Sequence, residues 1–282
     1  MSQRSGKKSF GKGLLVDPFI TQTGEYSVET VKSLVAHYRA GILGITPLFF
    51  DLSGDIRNAM PDQPASSELK FVPTDSPYSG GAFDKKARLG SLNFNDGINN
   101  GLVVTKDPSV FSFSDGTADR PFSVSFWVKD LDVTTNQGII KFGQSASNPD
   151  ANPTAWSIDT NSEKLRFFLI DDDGSGTGFE LENASVTFTD GKWHHIVFTY
   201  DGRGGSGASD GMSLYIDKTA TSLSESSSGT YTSMLAYQAS DVLTIGDVAS
   251  LELQDGTHLA EISIFSKELT TREVNALYEA KD

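Results

Sequence analysis

Three consecutive aspartates, Asp171, Asp172 and Asp173, stand directly before the run Gly174-Ser175-Gly176-Thr177-Gly178. Clustered loop acids are what a hard cation takes, since calcium gathers six to eight oxygens. These three are the candidate calcium ligands, with Asp150, Asp201, Asp210 and Asp247 on other loops that could approach them. The competing reading is a solvated loop tip. The glycine run resembles a phosphate loop in composition alone, because no Gly-Lys-Ser/Thr ending follows. Glu180 and Glu182 share a strand face, as a glycosidase pair would, but Ala184 stands where a third acid would help separate their pKa values. His194 and His195 are adjacent in a strand, so they point to opposite faces and read as structural rather than as a shared metal site. No Gly-x-Ser-x-Gly elbow sits between a strand and a helix. For sugar binding the requirement is an exposed aromatic plate with polar groups around it. Trp156, Tyr231 and Tyr237, with Phe179, lie near loops or strand ends, and Trp156, beside the loop Ser147 to Thr154, leads them.

The elements that must position these residues belong to a chain of 282 residues with 37% hydrophobic content, enough to bury a sizeable core. The formal charge of −14 excludes nucleic acid as the main partner, which would need a basic stripe. The one basic stretch is the N-terminal arm with Arg4, Lys7, Lys8 and Lys12, and no acid precedes Asp17. This arm is the candidate attachment element. With no cysteine, disulfides and thiolate metal sites are excluded. No apolar run approaches the roughly 18 residues of a membrane span, and no secretion signal is visible.

From Ser27 to Ala40 the residues Val28, Val31, Leu34, Val35 and Tyr38 recur at spacings of three and four, which predicts an amphipathic helix closed by Gly41. An apolar stretch, Ile42 to Leu52, and a segment with Pro61, Pro64, Pro73 and Pro77 follow. Residues 1–80 therefore read as an arm, a helix and a proline-rich linker that together attach the chain to the sandwich, a sister subunit or a larger assembly. Beyond Gly90 the period becomes two. Phe122, Val124, Phe126 and Val128 alternate with Ser123, Ser125, Trp127 and Lys129, and the pattern recurs at Leu165, Phe167 and Leu169, at Ile196, Phe198 and Tyr200, at Met212, Leu214 and Ile216, and at Ile262 and Ile264. Short alternating strands between Gly/Ser/Asp loops predict an all-β fold, an antiparallel two-sheet sandwich over residues 90–282. Thr270-Thr271-Arg272-Glu273 is a capping box ahead of the apolar stripe Val274, Leu277 and Tyr278, so a short helix ends the chain.

Several segments carry a family resemblance in order: Leu92-Asn93-Phe94-Asn95, Pro121 to Lys129, Asp190-Gly191-Lys192-Trp193-His194-His195 through Asp201, Leu214-Tyr215-Ile216-Asp217, Leu243-Thr244-Ile245-Gly246, and Leu259 to Tyr278. Together they resemble the laminin G-like and pentraxin-like branch of the concanavalin A-like lectin/glucanase superfamily. The resemblance implies a jelly roll, with Trp127 and Trp193 as core aromatics between the sheets. It also implies calcium at the sandwich rim, although the closing motif reads Ala260-Glu261 where the family usually carries Asp-Glu. Its enzymes use Glu-x-Asp-x-Glu, a spacing absent from this chain.

The expectation is a non-catalytic recognition or structural subunit at a virion surface, such as a phage capsid decoration or tail-associated protein. Its N-terminal segment would hold capsid or tail shell proteins or a second copy of itself. The alternative is an extracellular or cell-surface adhesin that binds glycan, and a glycoside hydrolase ranks behind both.

Overall fold

The computed structural model describes residues 32–43, 46–53, 55, 57–61, 69–73, 75–77, 90–94, 101–144, 154–171, 177–183, 186–228, 230–248 and 251–279. Alternation of apolar and polar residues builds two antiparallel sheets, because a period of two puts one row of side chains on each face. The first sheet runs, edge to edge, β14 (Thr219–Thr221), β13 (Met212–Ile216), β12 (Phe188–Tyr200), β7 (Phe122–Leu131), β19 (Thr257–Phe265), β1 (Leu34–Leu43) and β2 (Thr46–Asp51). Two further strands join it, β5 (Ser91–Phe94) on β19 and β4 (Leu69–Val72) on β5. The second runs β15 (Ser224–Ser228), β11 (Thr177–Asn183), β10 (Lys164–Asp171), β9 (Thr154–Asn161), β8 (Gln137–Gln144), β16 (Asp241–Ile245), β6 (Leu102–Val104) and β3 (Met60–Pro61). A small hairpin pairs β17 (Asp247–Val248) with β18 (Leu251–Glu252). This is the expected two-sheet jelly roll.

The inward rows meet in one core. Phe122 lies at its centre, stacked on Phe113 at 4.4 Å between centroids and within 5.3 Å of Trp156, 5.6 Å of Phe167 and 6.1 Å of Tyr200. Trp156 is fully buried there, and its indole N–H donates to the Phe111 carbonyl at 2.9 Å. The inter-sheet tryptophan is thus Trp156, not Trp127 or Trp193, which sit on the outer face of the first sheet in register with its outward residues. Trp127 is nonetheless covered, stacked at 5.5 Å on Tyr278 of the C-terminal helix α1 (Thr271–Glu279). The capping box forms as expected: the Thr270 N–H donates to Glu273 Oε2 at 2.9 Å, and the Glu273 N–H returns to Thr270 Oγ1 at 3.4 Å. Val274 and Leu277 then seat α1 on Val197, Phe265 and Leu269. The glycine that closes β16, Gly246, has φ +84°, and a Cβ there would collide with the Phe94 ring.

The helix expected over residues 27–40 is corrected from Leu34 onward, the described residues Lys32 and Ser33 being helical. Residues 34–43 are β1, which pairs with β19 on one side and β2 on the other. Ala36, Tyr38 and Ala40 point inward, and His37 and Arg39 outward. The spacing of Leu34, Val35 and Tyr38 imitates a helix, but burial between two strands overrides it. Strands β1 to β4 therefore belong to the sandwich sheets, which residues 34–43, 46–51, 60–61 and 69–72 help to build.

One edge of β19 is shared end to end by two neighbours, β5 at residues 257–259 and β1 at residues 262–265. At the junction Glu261 adopts φ +49°, and the register with β7 shifts between Ala260 and Ser263. This bulge takes up the three-residue step from inward Leu259 to inward Ile262. The buried Glu261 carboxylate accepts from Arg39 Nε at 2.8 Å and lies 2.7 Å from His37 Nε2. Burial pushes its pKa up, but the Arg39 charge and the His37 hydrogen bond and charge more than reverse this and hold it at about 2. The folded pKa being depressed, this stabilisation is present above the ordinary carboxylate range and lost as pH falls toward about 2. Glu261→Ala is expected to cost about 3 kcal/mol at neutral pH, the low end for a broken buried pair because Arg39 keeps some contact with water. Urea denaturation at pH 7 checks this, and a loss under about 1 kcal/mol would show that β1 is held by its ladder alone.

Candidate functional site

Where strands hand over from one sheet to the other, the last layer of the core is left at an open end. At one end three connections meet: the β7–β8 turn at residues 132–136, the β9–β10 turn at 162–163, and the entry into β12 at 186–189. Between them lies a cleft of about 360 Å³ lined by Asp132, Val133, Thr134, Glu163, Val186, Thr187, Phe188 and Thr189. Its floor is the buried trio Val133, Val186 and Phe188, all members of the inter-sheet core. Its rim is polar, with Thr134, Glu163, Thr187 and Thr189 exposed.

Local chemistry fixes each wall. Asp132 Oδ1 accepts the Thr134 N–H at 2.9 Å and the Thr134 hydroxyl at 2.6 Å, a side-chain-closed turn. The Gln137 amide adds a bond to the Asp132 carbonyl. Ser162 and Glu163 take φ +51° and +70°, the pair of positive values a two-residue hairpin turn requires. The Glu163 N–H then donates to the Val133 carbonyl at 2.8 Å, which sets two walls relative to each other.

The third wall is held by a histidine. His194 packs against Phe188 edge-on at 5.3 Å, with Nδ1 at 2.8 Å from Asp217 Oδ2 and Nε2 at 3.1 Å from Asp190 Oδ1. Asp217 also accepts the His195 N–H, and Asp190 the Lys192 N–H, while the Gly191 N–H donates to Asp130. The Asp217 hydrogen bond raises the His194 pKa, burial opposes it, and the Asp190 bond adds to the rise. Asp190 is held below the usual carboxylate range by its His194 and Lys192 bonds; in Asp217, burial pushes upward, and the His194 bond, the His195 N–H and the charges of the two histidines together outweigh it. His195, on the opposite face, lies 2.8 Å from Ser125 Oγ and beside Trp127, so the pair is divided as a strand demands.

The residues singled out from the sequence are scattered. Trp156 and Tyr231 are buried, which corrects their reading as exposed plates: Trp156 fills the gap between the sheets, and the Tyr231 hydroxyl donates to Asp119 Oδ2 at 2.6 Å. Tyr237 is exposed at 38% and stands on the loop between β15 and β16. Asp171 lies at the end of the sandwich away from the cleft, where Oδ2 accepts the Thr232 N–H at 2.7 Å. Asp172, Asp173 and Asp150 are outside the described residues, as are Arg4, Lys7, Lys8 and Lys12. At this far end Asp119 draws donors together: the hydroxyls of Tyr200 and Tyr231, and the Met234 N–H at 2.8 Å. Asp201 is engaged by Arg203 at 2.8 Å. Among the described residues no group of three acidic or histidine side chains is placed to hold a metal ion. The cleft residues escaped sequence reading because they come from three turns distant in the chain, each an ordinary polar turn by itself.

The chain belongs to the concanavalin A-like lectin/glucanases superfamily: a laminin G-type family model of that description matches residues 98–275. No curated protein matches it in sequence. Among solved structures it is similar to the receptor binding domain of botulinum neurotoxin D (TM-score 0.55, 16% identity, 89% of this chain and 54% of that one). It is also similar to a botulinum neurotoxin type C structure described for cell entry dependent on two ganglioside molecules (0.52, 17%, 90% and 53%). A third is the Trypanosoma rangeli sialidase (0.53, 13%, 88% and 32%). The chain spans about half the length of the neurotoxin structures and a third of the sialidase. At these identities the likeness establishes the fold, a lectin-like sandwich. Among the described residues no helix is long and apolar enough to cross a membrane.

The His194 clamp predicts a pH dependence. Its folded pKa being raised, its contribution is complete below about 6.5 and is lost as pH rises through the raised value, while Asp190 and Asp217 stay ionised throughout. The difference in melting temperature between the parent protein and His194→Gln should be largest near pH 5.5 and shrink toward pH 9. A difference that is flat with pH would mean the ring acts by packing on Phe188 alone.

Proposed function

We propose that the chain is a non-catalytic recognition module that binds sugar in the cleft between the β7–β8, β9–β10 and β11–β12 connections. The observation that carries this reading is the cleft itself, an apolar floor with a rim of hydroxyls and carboxylates. A sugar ring offers that combination in complement, with C–H faces for Val133, Val186 and Phe188 and hydroxyls for the rim. The lectin-like fold supports it, as do neighbours described as a receptor binding domain and as dependent on gangliosides. Against hydrolysis stands the lack of a Glu-x-Asp-x-Glu strand in the sequence. This function suits an extracellular or cell-surface setting, as for an adhesin. The test is Thr189→Trp, which places an indole in the cleft from an exposed position. On a glycan array followed by calorimetry, affinity should fall at least tenfold with the melting temperature unchanged. Unaltered affinity would move the ligand elsewhere, with Tyr237 the next site to vary.

A second reading has its own observation, the contrast between the arm Arg4, Lys7, Lys8 and Lys12 and a chain of net charge −14. We infer a subunit held by its arm, at a virion surface, to capsid or tail shell proteins or to further copies of itself. A chain beginning at Leu92 would lose β1 to β4 and with them part of both sheets, so the informative deletion removes residues 1–27 only. Light scattering is expected to find the full chain assembled and the deletion monomeric, and identical masses would remove the arm as an assembly device.

A further inference from the structure

Resting on the reading of the cleft as the sugar site, we propose that it selects by charge, taking amine-bearing sugars best, neutral sugars next, and carboxylated or sulfated sugars least. The two charged residues that line it, Asp132 and Glu163, are both acidic, and no lysine or arginine is among the lining residues. They come from separate hairpins fixed to each other by the Glu163 to Val133 bond, so an entering ligand meets both.

The hydrogen-bonding sense of the rim points the same way. The Thr134 hydroxyl gives its proton to Asp132 Oδ1, so what it offers a ligand is lone pairs. With the carboxylates of Asp132 and Glu163, this makes the rim rich in acceptors. A ligand ammonium or hydroxyl supplies donors to match, whereas a ligand carboxylate or sulfate is acceptor-only and brings a like charge. The cations beside the third wall do not offset this: Lys192 projects into solvent with its ammonium paired with Asp190 at 3.0 Å, and His194 is held between the carboxylates of Asp190 and Asp217, which neutralise its charge. Two like charges at roughly 5–7 Å in water disfavour an anion by about tenfold in total, and salt screens the effect.

Matched oligomers of glucosamine, N-acetylglucosamine and galacturonic acid separate the possibilities by titration calorimetry at low and high salt. The expected order is glucosamine, N-acetylglucosamine, galacturonate, spanning at least tenfold at low salt and narrowing at high salt. Thr189→Trp should abolish it, and Glu163→Gln should shrink the span severalfold without lowering the melting temperature. Galacturonate bound as well as glucosamine and lost in Thr189→Trp would overturn the charge selection while leaving the cleft as the sugar site. Glucosamine binding that survives Thr189→Trp would overturn the selection by placing it on the general acidic surface. Binding of none of the three would overturn both this inference and the reading beneath it.

Discussion

The packing of Phe122 against rings from both sheets is the contact on which the remaining architecture depends. Phe113, Trp156, Phe167 and Tyr200 all lie within about 6 Å of it, and they belong to different strands or to the loop before β7. Side-chain packing is the main device for holding two sheets at a fixed gap, since the ladder hydrogen bonds of the strands act within a sheet and not between sheets. Large rings fill that gap in one layer, and edge-on and stacked contacts give the layer a preferred geometry as well as buried area. Trp156 adds a directional tie by donating to the Phe111 carbonyl, which locates the turn at residues 108–111 against the core.

Away from this hub the sheets need edges that match, and the first sheet achieves this with a charged residue. Strand β19 must accept β5 along one part of an edge and β1 along the next, although the two arrive from separate parts of the chain. Left-handed backbone at Glu261 costs on the order of 1 kcal/mol or more for a residue with a side chain. The carboxylate offsets this by binding His37 and Arg39, the outward residues of the strand that arrives. The charge therefore specifies which strand docks and in what register, a role apolar contacts alone fill poorly because a slipped strand would still bury apolar groups.

The sequence revealed the sandwich where inward positions carry large apolar residues, as at Phe122, Val124, Phe126 and Val128, and it revealed α1 because a capping box is a local interaction. It misled over β1, whose inward row is Ala36, Tyr38 and Ala40: alanine gives too little contrast to display a period of two, and Leu34, Val35 and Tyr38 mimic a helix. Trp156 misled for a related reason. Its neighbours in sequence are polar and loop-like, while its burial is decided by strands far along the chain. The bulge left one legible trace, a step of three between Leu259 and Ile262 in an otherwise alternating strand. The cleft left none, since Asp132, Glu163 and Thr189 become neighbours only after three turns converge.

The two ends of the sandwich finish the same core by different means, and the difference explains why one of them is open. At the Asp119 end a single carboxylate collects two tyrosine hydroxyls and a backbone N–H, so Tyr200 and Tyr231 lie across the last apolar layer and seal it. Burial and Asp119 raise both tyrosine pKa values, so the phenols remain protonated donors across the physiological range. At the other end the polar groups bond sideways within their own turns, Thr134 to Asp132 and Lys192 to Asp190, rather than across the core. The tie between separate turns there is the Glu163 to Val133 backbone bond, while the His194 clamp joins residues of the first sheet and meets Phe188 only edge-on, so no side chain is laid across Val133, Val186 and Phe188 together. An apolar floor ringed by turn residues whose bonds are already arranged costs little reorganisation when a ligand arrives. Bonds drawn across the core by Asp119 seal one end, and bonds kept within separate turns leave the opposite end open.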